Sequence, residues 1–158
     1  MWFTDDMHPA TRLYHRLIDC WNRHDATGYG DTFTDDGALV GFDGSTVDGR
    51  EAVTAHLAEI FADHTPARYV TVVRETRRLS EGVYLVRAVA GMVPPGRTDL
   101  EPAANAVQSL VATDTGAGWR VVLFHNTPAA FHGRPEAAER LTAELREELR
   151  RTTTTPPE

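Results

Sequence analysis

The sequence predicts a single α+β domain, a curved antiparallel sheet wrapped on three N-terminal helices with an extra helix at the C-terminus. Three observations predict it. Apolar residues recur at helical spacing up to about His64. Beyond Thr65-Pro66 the pattern turns into four long strand-like runs, broken by two short Gly-containing turns and by a longer, irregular loop over 94–102. The chain has 158 residues, 41% of them hydrophobic and 25% charged, enough for one core without a metal or disulfide staple. Strands this long must bend, and helices on one side turn the bend into a cone with a pocket inside.

Residues 1–8 lack periodicity and read as a loose leader. The first helix spans 9–23, with Leu13, Tyr14, Leu17, Ile18 and Trp21 on one stripe. Pro9 suits its first turn. A short helix follows at 29–33 and stops at the turn cluster Asp35-Asp36-Gly37. Residues 38–42 and 45–47 read as two short strands joined by a hairpin at Asp43-Gly44. Asp48, with Glu51 three positions on, resembles a capping box for a third helix reaching His64. Val53, Leu57, Ile60 and Phe61 form its buried face, and His56 shares that face.

The four strands read as a meander over 67–79, 83–93, 104–114 and 119–131. A last helix spans 135–151, with Ala138, Leu141, Leu145 and Leu149 along one edge. The stretch 152–158 is low in complexity and reads as a disordered tail. The expected organisation is thus a leader, a domain over 9–131, a C-terminal helix over 132–151 and the tail.

Charge and composition exclude several function classes. Net charge is −7 and no basic stripe is present, which argues against a nucleic-acid partner. All 16 basic residues are Arg, so lysine Schiff-base chemistry is ruled out. The single Cys20 forbids an intrachain disulfide and fits a reducing cytoplasm. An acidic start without an apolar run predicts no signal peptide, and no apolar stretch nears the ~18 residues of a membrane span. The histidines lack tight metal-ligand spacing, and His56 and His64 stand ~12 Å apart along a helix, too far to share an ion. No Gly-rich dinucleotide loop is present. Neither a metal nor a cofactor is expected.

Several motifs resemble one known superfamily. They are Trp21-Asn22-Arg23-His24-Asp25, Phe33 with Asp36, Phe42-Asp43-Gly44, Gly49-Arg50-Glu51-Ala52-Val53, and the run from Trp119 to Thr127. In order and spacing they resemble the nuclear transport factor 2-like, or SnoaL-like, superfamily over residues 9–131. Within it they resemble the SgcJ/EcaC group, which accompanies polyketide and enediyne biosynthesis in actinobacteria. The resemblance implies a cone-shaped, cystatin-like α+β fold, commonly a homodimer through the sheet. It implies relatives that are polyketide cyclases, ketosteroid isomerases or dehydratases, alongside non-catalytic domains. The C-terminal helix is an addition to that fold and would cover the pocket mouth or the dimer surface.

The candidate site residues follow from their chemistry. Asp43, beside Phe42, would be a carboxylate with a pKa raised by an apolar pocket, able to carry a proton; equally, Asp43-Gly44 makes a good hairpin turn. His56 would be a general base or a core histidine. Gln108 and Asn126 are amides in apolar strands, expected to face inward to a ligand oxygen or to tie backbone at the rim. Asn126 shares parity with Phe124 and Val122. Arg87 would hold a carboxylate or enolate oxygen, or lie on the solvent face. Trp21, Tyr14, Phe33, Phe61 and Trp119 are pocket walls or core. The leading reading is a cofactor-free acid/base enzyme or accessory factor for a hydrophobic, oxygenated polyketide-like molecule. The others are a binding protein without turnover and a dimeric scaffold with a vestigial pocket.

Overall fold

In the computed structural model, residues 7–154 are described. Residues 1–6 of the expected leader and 155–158 of the expected tail lie outside the described residues. His8 belongs to the first helix rather than to a leader: its Nδ1 accepts the Ala10 N–H at 3.0 Å as an N-cap. Helix α1 spans Pro9–Asn22 and buries the predicted stripe of Leu13, Tyr14, Leu17 and Ile18. Helix α2 is Ala26–Asp31, earlier than predicted, because the Asp25 side chain caps it by accepting the Gly28 N–H at 2.9 Å.

Strand β1 covers Phe33–Val40 and β2 covers Thr46–Asp48. The expected break at Asp35-Asp36-Gly37 is instead a wide bulge inside β1. It is held open by Arg50, whose Nε and Nη2 donate to the Phe33 carbonyl at 3.0 and 2.7 Å. Helix α3 is Arg50–Asp63. Its expected Asp48 cap does not form, because Asp48 pairs with Ala38 in the β1–β2 ladder. Gly49 turns the chain at φ +97°, and its N–H bonds the Gly37 carbonyl at 2.7 Å.

The remaining strands are β3 (Arg68–Ser80), β4 (Val83–Val93), β5 (Ala106–Asp114) and β6 (Trp119–Pro128), followed by helix α4 (Pro135–Thr154). Helix α4 therefore continues past the expected end at Arg151. The six strands form one curved sheet in the order β2-β1-β6-β5-β4-β3. All neighbours are antiparallel except β1 and β6, which run parallel. The sequence reading of a hairpin and a separate meander missed that junction.

The two faces of the sheet have separate cores. On the inner face, α1, α2 and α3 pack with Phe33, Leu39, Val86, Ala88, Leu110, Val121 and Phe124. On the outer face, Leu141, Leu145 and Leu149 of α4 pack on Val70, Val89, Val93 and Leu100. Strand alternation separates the two sets along β4. Among the described residues no helix is long and apolar enough to cross a membrane.

Candidate functional site

A cavity of about 380 Å³ opens between α3 and the inner face of the sheet. Its size is that of a small-molecule pocket. Leu57 and Ile60 of α3 form one wall; Leu39, Val47 and Phe124 of the sheet form another. Trp21 and Tyr29 close the side under α1 and α2, and Phe42, Asp43 and Ser45 stand at the rim. The polar groups reaching this apolar space are few: Asp43, Ser45, His56, Tyr29, Tyr69 and Asn126.

His56 is half-buried on the cavity face of α3, one residue before the fully buried Leu57. Asp43 is exposed in the β1–β2 loop, where its Oδ1 accepts the Ser45 N–H at 2.9 Å. The raised pKa expected of Asp43 is therefore corrected. Hydrogen bonds from Ser45 hold the carboxyl below its ordinary value, and a positive His56 adds to the lowering. Asp43 is an ionised turn residue at the rim, close enough to feel the imidazole.

Asn126 points inward with Phe124 and is buried. Val122, of the same sequence parity, does not. The register slips between Val111 and Ala112, so Val121 turns inward and Val122 outward, 39% exposed. Gln108 and Tyr14 do not line the cavity. They lie behind it, where Tyr14 Oη donates to Gln108 Oε1 at 2.5 Å. Phe33, Phe61 and Trp119 pack in the core away from the cavity lining.

Arg87 is corrected outright. Val86 and Ala88 point into the inner core, so alternation sends Arg87 to the outer face. There its Nη1 pairs with Glu75 Oε2 across the β3–β4 ladder at 2.9 Å.

Two lining phenols were missed. Tyr29 was read only as the start of a helix, and Tyr69 was passed over inside a long strand. A signal for Tyr69 exists: Tyr69, Thr71 and Val73 alternate with Val70 and Val72 at the start of β3. The Trp21-Asn22 pair explains its placement. Trp21 Nε1 donates to the Ala67 carbonyl at 2.8 Å. Asn22 accepts the Tyr69 N–H at 2.8 Å and donates to the Tyr69 carbonyl at 3.2 Å. The end of α1 thus clamps the backbone of Tyr69. Among the described residues no cluster of three or more His, Cys, Asp or Glu stands ready for a metal ion.

Comparison with known proteins adds the family context. A family model described as a SnoaL-like domain matches residues 14–97. No curated protein matches the chain. Solved structures do. A domain of unknown function with a cystatin-like fold from Nostoc punctiforme is 21% identical, with a TM-score of 0.72, covering 89% of this chain and 93% of that one. An NTF2-like protein with a cystatin-like fold from Novosphingobium aromaticivorans is 18% identical, with a TM-score of 0.62 and coverage of 86% and 90%. A ketosteroid isomerase-like protein from Erwinia carotovora atroseptica is 15% identical, with a TM-score of 0.60 and coverage of 76% and 93%. At these identities the likeness is one of fold.

Proposed function

This chain belongs to the SnoaL-like domain family, and from that premise we propose that its cavity binds a hydrophobic, oxygenated molecule and moves a proton on it. The observation that carries the reading is the shared cavity. A half-buried imidazole, His56, faces the same apolar space as the hydrogen-bonding groups of Asn126 and Tyr69. Removing a proton from carbon beside a carbonyl needs a positioned base and a donor for the developing oxygen charge. His56 is the base in this reading. The ionised Asp43 carboxylate at the rim attracts the imidazolium that forms, rather than taking the proton itself.

The substrate class we propose is a polyketide-type carbonyl chain, and the enediyne-type intermediates of the SgcJ/EcaC group are its narrowest form. Its support is the motif resemblance together with apolar walls and few polar groups. The reaction would be an enolisation, cyclisation, isomerisation or dehydration that needs no cofactor.

Incubation with 2-acetylnaphthalene in deuterated water tests the proton transfer, with methyl exchange followed by NMR. The protein is expected to accelerate exchange, and His56→Ala to lose about 100-fold of that acceleration. Undiminished exchange in His56→Ala would overturn the role of His56. A second reading, ligand holding without turnover, is favoured by the Asp43 turn, which gives the carboxylate a structural task. Binding of the ketone without any exchange by the wild-type protein would select it.

A further inference from the structure

A buried hydrogen-bond chain runs from the core to the cavity wall. Tyr14 passes its proton to Gln108 Oε1 at 2.5 Å. Gln108 Nε2 donates to Asn126 Oδ1 at 3.3 Å, across the register pair that joins β5 to β6. Asn126 Nδ2 then donates to the Tyr69 hydroxyl oxygen at 3.1 Å. Every link has one direction, and the last makes Tyr69 an acceptor towards the protein. The Tyr69 proton is left over, and among the described residues nothing accepts it.

Tyr29 is in the same position by another route. It lines the cavity, and no protein group among the described residues pairs with its hydroxyl. It lies near enough to Tyr69 to feel the charge of that phenol. Burial pushes Tyr69 up to about 12 and Tyr29 upward as well. Both phenols therefore keep their protons at neutral pH. Both side chains line the cavity, where the oxygen of an entering ligand can accept the unclaimed protons.

We infer that Tyr69 and Tyr29 together clamp one acceptor oxygen of the ligand, a ketone or the enolate made from it, and that the chain beginning at Tyr14 sets this preference. The inference rests on the reading of the cavity as the ligand site. Tyr69 and Tyr29 bind the oxygen. Tyr14, Gln108 and Asn126 are positioning residues that decide which way the Tyr69 hydroxyl faces.

Calorimetric titration with 2-acetylnaphthalene and with 2-ethylnaphthalene separates the possibilities, since the two differ in the carbonyl. The wild-type protein is expected to prefer the ketone. Tyr69→Phe should weaken ketone binding about fivefold and leave the hydrocarbon unchanged. Tyr29→Phe, which breaks no bond within the protein, should do the same and guards against a folding defect in the first variant. Tyr14→Phe, remote from the ligand, should reduce the ketone preference while the hydrocarbon still binds. Equal affinity of the wild-type protein for both probes overturns the inference and leaves the cavity reading intact. So does an equal loss for both probes in Tyr69→Phe and Tyr29→Phe. Binding of neither probe to the wild-type protein overturns both.

Discussion

Gly37, in the bulge of β1, lies against the β6 backbone at Val121. A Cβ at this position would stand 2.6 Å from the Val121 carbonyl oxygen and 3.0 Å from the Phe33 ring. Backbone cannot yield as a flexible side chain can, so Gly37→Ala is expected to cost about 2 kcal/mol, read as a lower urea midpoint at unchanged slope. Single residues of the site were unevenly legible. Asn126 and His56 stood out because a polar group on an otherwise apolar face demands a partner, and both reach the cavity. Asp43 was misjudged because its environment depends on whether the hairpin loop folds over the pocket or away from it. Tyr69 was missed because an aromatic residue in a strand looks the same whether it fills a core or lines a space. Its role emerges only from contacts 47 and 57 positions away, to Asn22 and Asn126.

At the scale of elements, α4 is fastened to the outer face by charge as well as by its leucines. Arg74 of β3 holds the Glu144 carboxylate with Nη1 and Nη2, and Arg146 holds that of Asp99 with Nε and Nη2. The hydrogen bond from Arg146 lowers the Asp99 pKa, and the bond from Arg74 lowers that of Glu144. A carboxylate with a depressed folded-state pKa adds stability that is complete above its ordinary value, here 3.8 for Asp99 and 4.5 for Glu144. That contribution disappears as pH falls through the lowered values. Acidification below about pH 4 is thus expected to free α4 before the inner core opens. Hydrogen exchange of the 141–149 amides against those of α1 measures this; loosening of both together would contradict it. Strand β4 was legible to the residue because Gly82 and Pro94 punctuate its ends. The ends of α2, β1 and α3 were not, because each is decided by a tertiary partner. Asp25 caps α2, Arg50 props the β1 bulge, and Ala38 draws Asp48 into a ladder.

For the molecule as a whole, α4 leaves part of the outer sheet uncovered. Val107 and Val122 are 40% and 39% exposed there, beside the half-buried Val111 and Leu123. A homodimer through this remaining face is the assembly we expect, and sedimentation should detect it. Val122→Glu should shift the protein to monomer, because it puts a charge into the apolar face that such a dimer would bury. The overall architecture was legible because the long helices and the four-strand meander occupy separate stretches of the chain. The parallel β1–β6 junction was not, since no local pattern announces a partner almost ninety residues away. That junction also governs how the protein is made. Phe33 pairs with Val121 across almost ninety residues of chain, and contacts so distant in sequence form slowly. The cavity wall is shared between Leu39 on one side of this seam and Phe124 and Asn126 on the other. A nascent chain lacking its sixth strand has no finished cavity, so the binding site appears as one of the last products of folding. Any molecule that occupies it stabilises the complete fold over partly folded chains, and ligand supply becomes a lever on how much protein survives.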